Sequence, residues 1–208
     1  MLSIFVETSC NRYNRDECEF CHVYEPLMEH PVSEWHLTAQ QARVMADTIQ
    51  RVEVLNTLAQ QEINLTGGEA SQNPDIVEIC KVFQTVTPHV CLHTNLDMLS
   101  EKSKRWQRLR EIMQLGGRVD ITLYPTAWEE SQKYFLGEML KLQNKLIVNV
   151  VYESLADLQS QINLLLNFFK DKSYTHVTEL LQSYAEKVAT LLETHPNCDE
   201  KLFTVSMG

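Results

Sequence analysis

Short runs of alternating apolar and polar residues recur along the chain, and each is followed by a longer stretch of helical character. LSIFVET (residues 2–8), EINLTGGE (62–69), HVCLHTN (89–95), RVDITLYP (118–125) and LIVNVVY (146–152) have the period of two and the β-rich content of strands. KLFTVSM (201–207) is a sixth. Between them lie helical segments. One spans 38–61 and opens on a Thr38/Gln41 capping box. The next has Asn73 as N-cap and Pro74 at its first position. A third covers 100–117 and closes on glycine. A fourth starts at a Thr126/Glu129 capping box, and two more cover about 154–170 and 175–194.

Strands that alternate with helices predict parallel βαβ units. Eight units close into a barrel of about 250 residues. Six units in 208 residues predict an α/β fold, an open partial (β/α)6 barrel of parallel strands. A doubly wound sheet is the competing arrangement. No internal repeat, low-complexity tract or linker divides the chain, so residues 1–208 are expected to be one domain.

The strands carry a second pattern. One parity is apolar: Leu2, Ile4 and Val6; Ile63 and Leu65; Val90 and Leu92; Val119, Ile121 and Leu123. The other parity is polar: Glu7; Asn64 and Thr66; His93 and Asn95; Asp120, Thr122 and Tyr124; Asn149. Parallel strands buried on both faces read apolar throughout. A polar set toward the C-terminal strand ends predicts a shared polar cavity, where α/β folds bind ligands.

Composition narrows the function classes. The chain is 44% hydrophobic and 22% charged, as ordinary globular proteins are. A net charge of -10 and a pI near 5.2 argue against gripping nucleic acid. The basic run KSKRWQRLR (102–110) reads as a solvated helix face. No stretch reaches the roughly 18 apolar residues of a membrane span. The opening MLSIFVETSC lacks the basic region and cleavage site of a signal peptide, so a cytoplasmic protein without a membrane partner is expected. In a reducing compartment clustered cysteines serve as metal ligands rather than disulfides.

Three of the six cysteines are clustered, in SCNRYNRDECEFCHV (9–23): Cys10, Cys18 and Cys21, with His22 beside the last. This loop follows the first strand, and TGGEA (66–70) follows the second. Both therefore open at one end of the sheet. Gly67 and Gly68 suit either a tight turn or close approach of a ligand to backbone. Cys80, on the apolar face of its helix, is expected in the core; Cys91 shares parity with His93 but burial is the expectation; Cys198 lies in a late loop. Trp35, Trp106 and Trp128 are expected to pack.

With those motifs in order, the chain resembles the radical S-adenosylmethionine (SAM) superfamily. That superfamily places a cysteine cluster after its first strand and Gly-Gly-Glu after its second. Here Cys18-Glu19-Phe20-Cys21 matches the second half of the cysteine motif and Gly67-Gly68-Glu69 matches the other. LTGGEA with CLHTN is most similar to glycyl-radical activating enzymes, as is the Cys21-His22 pair. The likeness covers about residues 1–125. The chain departs in spacing, with seven residues between Cys10 and Cys18 where three are usual; extra loop residues cost only modest closure entropy.

The resemblance implies a [4Fe-4S] cluster on Cys10, Cys18 and Cys21, with one iron left for SAM. It implies that Gly67, Gly68 and Glu69 hold the methionine amino group, and that Phe20 and His22 meet the adenine. His93, Asn95, Thr122 and Asn149 would serve the ribose and carboxylate. It further implies an oxidoreductase fed by a flavodoxin- or ferredoxin-type electron donor. The substrate would be a peptide or a small molecule. Two alternatives stand beside this: an activase that installs a glycyl radical on a partner protein, and a non-catalytic SAM- or zinc-binding protein. In the zinc case Cys10, Cys18, Cys21 and His22 or His30 make a Cys3His site. The glycine motif favours the cluster.

Overall fold

The computed structural model describes residues 1–10, 35–96, 99–123, 130–142, 146–152, 154–171, 175–194 and 202–207. Six strands form one open sheet in chain order: β1 (Leu2–Glu7), β2 (Ile63–Gly67), β3 (Val90–Asn95), β4 (Arg118–Leu123), β5 (Leu146–Val151) and β6 (Leu202–Met207). β1 to β5 are parallel, each bonded to the next. This is the expected α/β architecture of a partial barrel. The order never reverses, so the switch point that defines a doubly wound sheet is missing among these strands.

The sixth strand departs from the expected parallel set. β6 runs antiparallel to β5. Two helices lie between them, α6 (Leu155–Asp171) and α7 (Thr175–Thr194), which pack on each other. β6 therefore starts beside the end of β5, where Val151 pairs with Leu202.

The remaining helices are α1 (Ala39–Arg51), α2 (Glu53–Gln61), α3 (Ile76–Gln84), α4 (Lys104–Gln114) and α5 (Glu130–Leu142). The Thr38/Gln41 capping box forms as expected: the Gln41 amide donates to Thr38 Oγ1 at 3.2 Å and the Thr38 amide to Gln41 Oε1 at 2.9 Å. The single helix expected over 38–61 is instead broken at Val52, whose backbone is extended. At 1.5 Å per residue an unbroken helix would run about 36 Å, well past a strand of about 20 Å. The break keeps α1 on α3 and α2 on β1 and β2.

Asn73 makes the capping bond expected of it, its Oδ1 accepting from the Asp75 amide at 2.8 Å, but the helix itself starts later. α3 begins at Ile76 with Asp75 as its N-cap. The Asn73 amide nitrogen is buried and donates to the Val6 carbonyl at 2.6 Å and the Leu37 carbonyl at 2.9 Å. It joins the end of β1 to the segment before α1. The Thr126/Glu129 capping box lies outside the described residues.

The core fills the layer between sheet and helices. Ile4, Leu65, Leu92 and Val119 lie in one register row, Ile121 and Val148 in another, and all are buried. Cys80 is buried there too, and Trp106 on α4 packs against Phe135 on α5 at 4.8 Å. Trp35 does not pack as expected: it is 39% exposed, beside Phe5 along an apolar groove at the β1 edge. Trp128 lies outside the described residues. No described helix is long and apolar enough to cross a membrane.

Candidate functional site

β1 ends against the glycine loop. The β1–β2 register shifts after Phe5, bringing Glu7 opposite Gly67. The Gly68 amide donates to the Glu7 carbonyl and the Glu69 amide to the Ser9 carbonyl, each at 2.8 Å. Gly67 has φ +138°, and a Cβ there would overlap the Glu7 carbonyl oxygen. A Cβ on Gly68 would overlap the Ser9 carbonyl oxygen. Both positions need glycine because one backbone lies directly on another. The Glu7 carboxylate, expected in the polar cavity, instead accepts from the Thr8 and Ser9 amides at 3.0 Å each. Ser9 Oγ donates to Gln72 Oε1 at 3.0 Å.

Cys10 follows at once and is half-buried. The returning chain is tied to the same place. The Thr8 amide donates to the Trp35 carbonyl at 3.0 Å, the Trp35 amide to Thr8 Oγ1 at 2.9 Å, and the Leu37 amide to the Val6 carbonyl at 2.9 Å. The two described ends of the chain on either side of residues 11–34 are thus tied together at the C-terminal end of β1. Cys18, Phe20, Cys21 and His22 themselves lie outside the described residues, as do His30 and Cys198.

Glu69 is 1% exposed, and its carboxylate is fully engaged by protein donors. Oε1 accepts from the Ser71 amide at 3.1 Å and from the hydroxyls of Ser71 and Thr94. Oε2 accepts from the Asn95 amide at 2.8 Å. The β2–β3 ladder stops at Leu65–Leu92, and beyond it this carboxylate bonds the end of β3. Arg105 Nη2 lies 3.3 Å from Oε1, while its Nε donates to Ser71 Oγ at 2.8 Å. Arg108 Nη1 donates to the carbonyls of Ser71 at 3.3 Å and Gln72 at 3.1 Å. These two arginines, one turn apart on α4, belong to the run expected to be a solvated face. They brace the loop instead, because the buried carboxylate and turn carbonyls need cationic donors.

The polar strand parity occupies one face. Asn95, Thr122 and Asn149 form a register row across β3, β4 and β5. His93 and Asp120 form the row beneath. Thr66, His93, Thr122 and Asn149 are half-buried, and Asn64, Asn95 and Asp120 are buried. On β1 the same face exposes Ser3 and Phe5. Four of the residues chosen from the sequence therefore stand together, on the face away from the apolar core.

Deeper on that face lies a group the sequence reading missed. The donor atoms of Cys91, His93 and Asp120 all fall within 4.8 Å of one another. Cys91 is buried as expected, yet it belongs to the polar face. Burial, reinforced by the Asp120 charge, pushes its thiol pKa up. Burial pulls that of His93 down, with Asp120 opposing. Arg118 bonds Asp120 through Nε at 2.9 Å and Nη2 at 3.1 Å, and reaches Glu62 at 2.7 Å. The available signal was Cys-x-His on one strand, facing an Asp on the next.

No protein-family model and no curated protein sequence matches the chain.

Proposed function

We propose that this chain is a radical SAM enzyme. The observation that carries the reading is the contact between the Gly67-Gly68-Glu69 loop and the strand end that delivers Cys10. It sets Cys10 and the glycine loop at neighbouring strand ends of one open sheet, whose polar face carries the row of Asn95, Thr122 and Asn149, and this supports the reading. The donor chemistry fits the group: Cys10, Cys18 and Cys21 supply three soft thiolates and leave one iron without a protein ligand. Held by those thiolates, the cluster would supply the electron for reductive cleavage of the carbon–sulfur bond of SAM once an external donor had reduced it, and so the means to take hydrogen from a substrate.

The chain's own residues have binding and positioning tasks. Asn95, Thr122 and Asn149 offer amides and a hydroxyl to the carboxylate and ribose of SAM, with His93 beneath them. Backbone on the Gly67–Gly68 rim would meet the methionine end. Glu69 acts as a brace, since its oxygens are already bonded to Ser71, Thr94 and Asn95. Phe20 and His22 would meet the adenine. A peptide or small molecule would take its place on the polar face.

The test is spectroscopic. Protein reconstituted without oxygen should hold about four irons and four sulfides. SAM should change the paramagnetic spectrum of the reduced cluster. Thr122→Ala should demand several-fold more SAM for the same change. A spectrum indifferent to SAM would remove this reading.

A further inference from the structure

We propose that Cys91, His93 and Asp120, with Asn64 beside them, form a second metal site that takes one borderline divalent cation, zinc above all. The inference is independent of what the N-terminal cysteines hold. It starts from placement: three adjacent strands contribute donors to one face. Asn64 on β2 is in register with Cys91 on β3, and His93 is in register with Asp120 on β4. Sulfur, imidazole nitrogen and carboxylate oxygen together are the donor types that zinc favours.

The spacing is near what an ion needs. Zinc–ligand bonds of about 2.0–2.3 Å put tetrahedral donors about 3.3–3.8 Å apart. The three donors here lie within 4.8 Å, so a change of side-chain torsion closes the set.

Asn64 supplies a second observation. It is 5% exposed, yet its Oδ1 has no hydrogen-bond donor among the described residues. A buried acceptor without a donor is costly and uncommon. On the strand beside Cys91 and on the same face, that oxygen completes a fourth position, directly or through an ion-bound water.

Charge balance agrees. Arg118 stands against Asp120 and Glu62, which leaves one net negative charge. A Cys91 thiolate makes two, and a divalent cation neutralises them; the Cys91 proton leaves on binding. Arg118 stays satisfied when Asp120 turns to the ion, because Glu62 holds it at 2.7 Å.

The experiment removes the competing thiols. In a Cys10→Ser, Cys18→Ser, Cys21→Ser chain, cobalt(II) should bind at one equivalent. It should show tetrahedral visible bands and a near-ultraviolet absorption from a single thiolate. Adding Cys91→Ser should abolish the near-ultraviolet band, and adding His93→Gln should weaken binding at least tenfold. Cys198→Ser should change neither. If the triple variant folds poorly, zinc content in the otherwise unaltered chain decides: Cys91→Ser should carry one equivalent less than wild type. No cobalt binding by a folded triple variant, a spectrum that Cys91→Ser leaves intact, or equal zinc in both chains would overturn the site.

Discussion

Glu69 is the residue on which the loops converge. It is the acidic member of the glycine motif, but its carboxylate faces Ser71, Thr94, Asn95 and Arg105. Removing one partner of a buried charged pair costs about 3–5 kcal/mol, because the other is left unpaired. Glu69→Ala and Arg105→Ala should each approach that range, less for Arg105, which keeps some solvent contact. In urea unfolding the double variant should lose clearly less than the two single losses added together. Additive losses would mean the pair is not coupled. Gly68→Ala should cost about 1–3 kcal/mol, since the Ser9 backbone cannot yield to a new Cβ; an unchanged melting temperature would contradict the close approach. The sequence announced the glycines as a unit. It did not announce their partner, because close contact with Glu7 and Ser9 depends on a register shift in β1. Nor did it reveal Arg105 and Arg108 as braces, since a basic run on a helix looks the same whether it meets water or a buried carboxylate.

At the scale of the element, β4 separates the two faces most cleanly. Ile121 is buried in the core layer and Thr122 is half-buried on the polar face. Ile121→Ala should lower stability by about 2–5 kcal/mol through lost burial and a cavity, with SAM affinity of the folded fraction nearly unchanged. Thr122→Ala should lose well under that range and weaken SAM binding. Melting curves and SAM titrations of both variants check this; the reverse pattern would mean the face is misassigned. Apart from Glu7, the alternation was legible, as the pairing of Leu92 with Val119 and of Ile121 with Val148 bears out. The kink at Val52 was not, because helix-forming residues continue across it and only the short sheet beneath stops a straight rod. Asn73-Pro74 read as a helix start, and Asn73 Oδ1 does accept from the Asp75 amide, but α3 opens only at Ile76 and the Asn73 Nδ2 ties down the Val6 and Leu37 carbonyls.

For the molecule as a whole, strand order and function lie on different footings. A helical stretch between each pair of successive strands, broken at Val52 in the first, made the parallel order of β1 to β5 readable. The reversal of β6, which follows two helices packed on each other, was not readable, since β propensity alone suggests only another strand. Glu7 and Ser9, just ahead of Cys10, meet the glycine loop because β1 and β2 are neighbours. The central claim is that this chain cleaves SAM. Formation of 5′-deoxyadenosine is its most direct measure, in anaerobically reconstituted protein given SAM and a strong reductant. Wild type should form it, and Cys18→Ala should form none. A reconstituted wild-type chain that leaves SAM intact, or one that holds a single tight zinc on Cys10, Cys18 and Cys21 in place of iron and sulfide, would contradict the account.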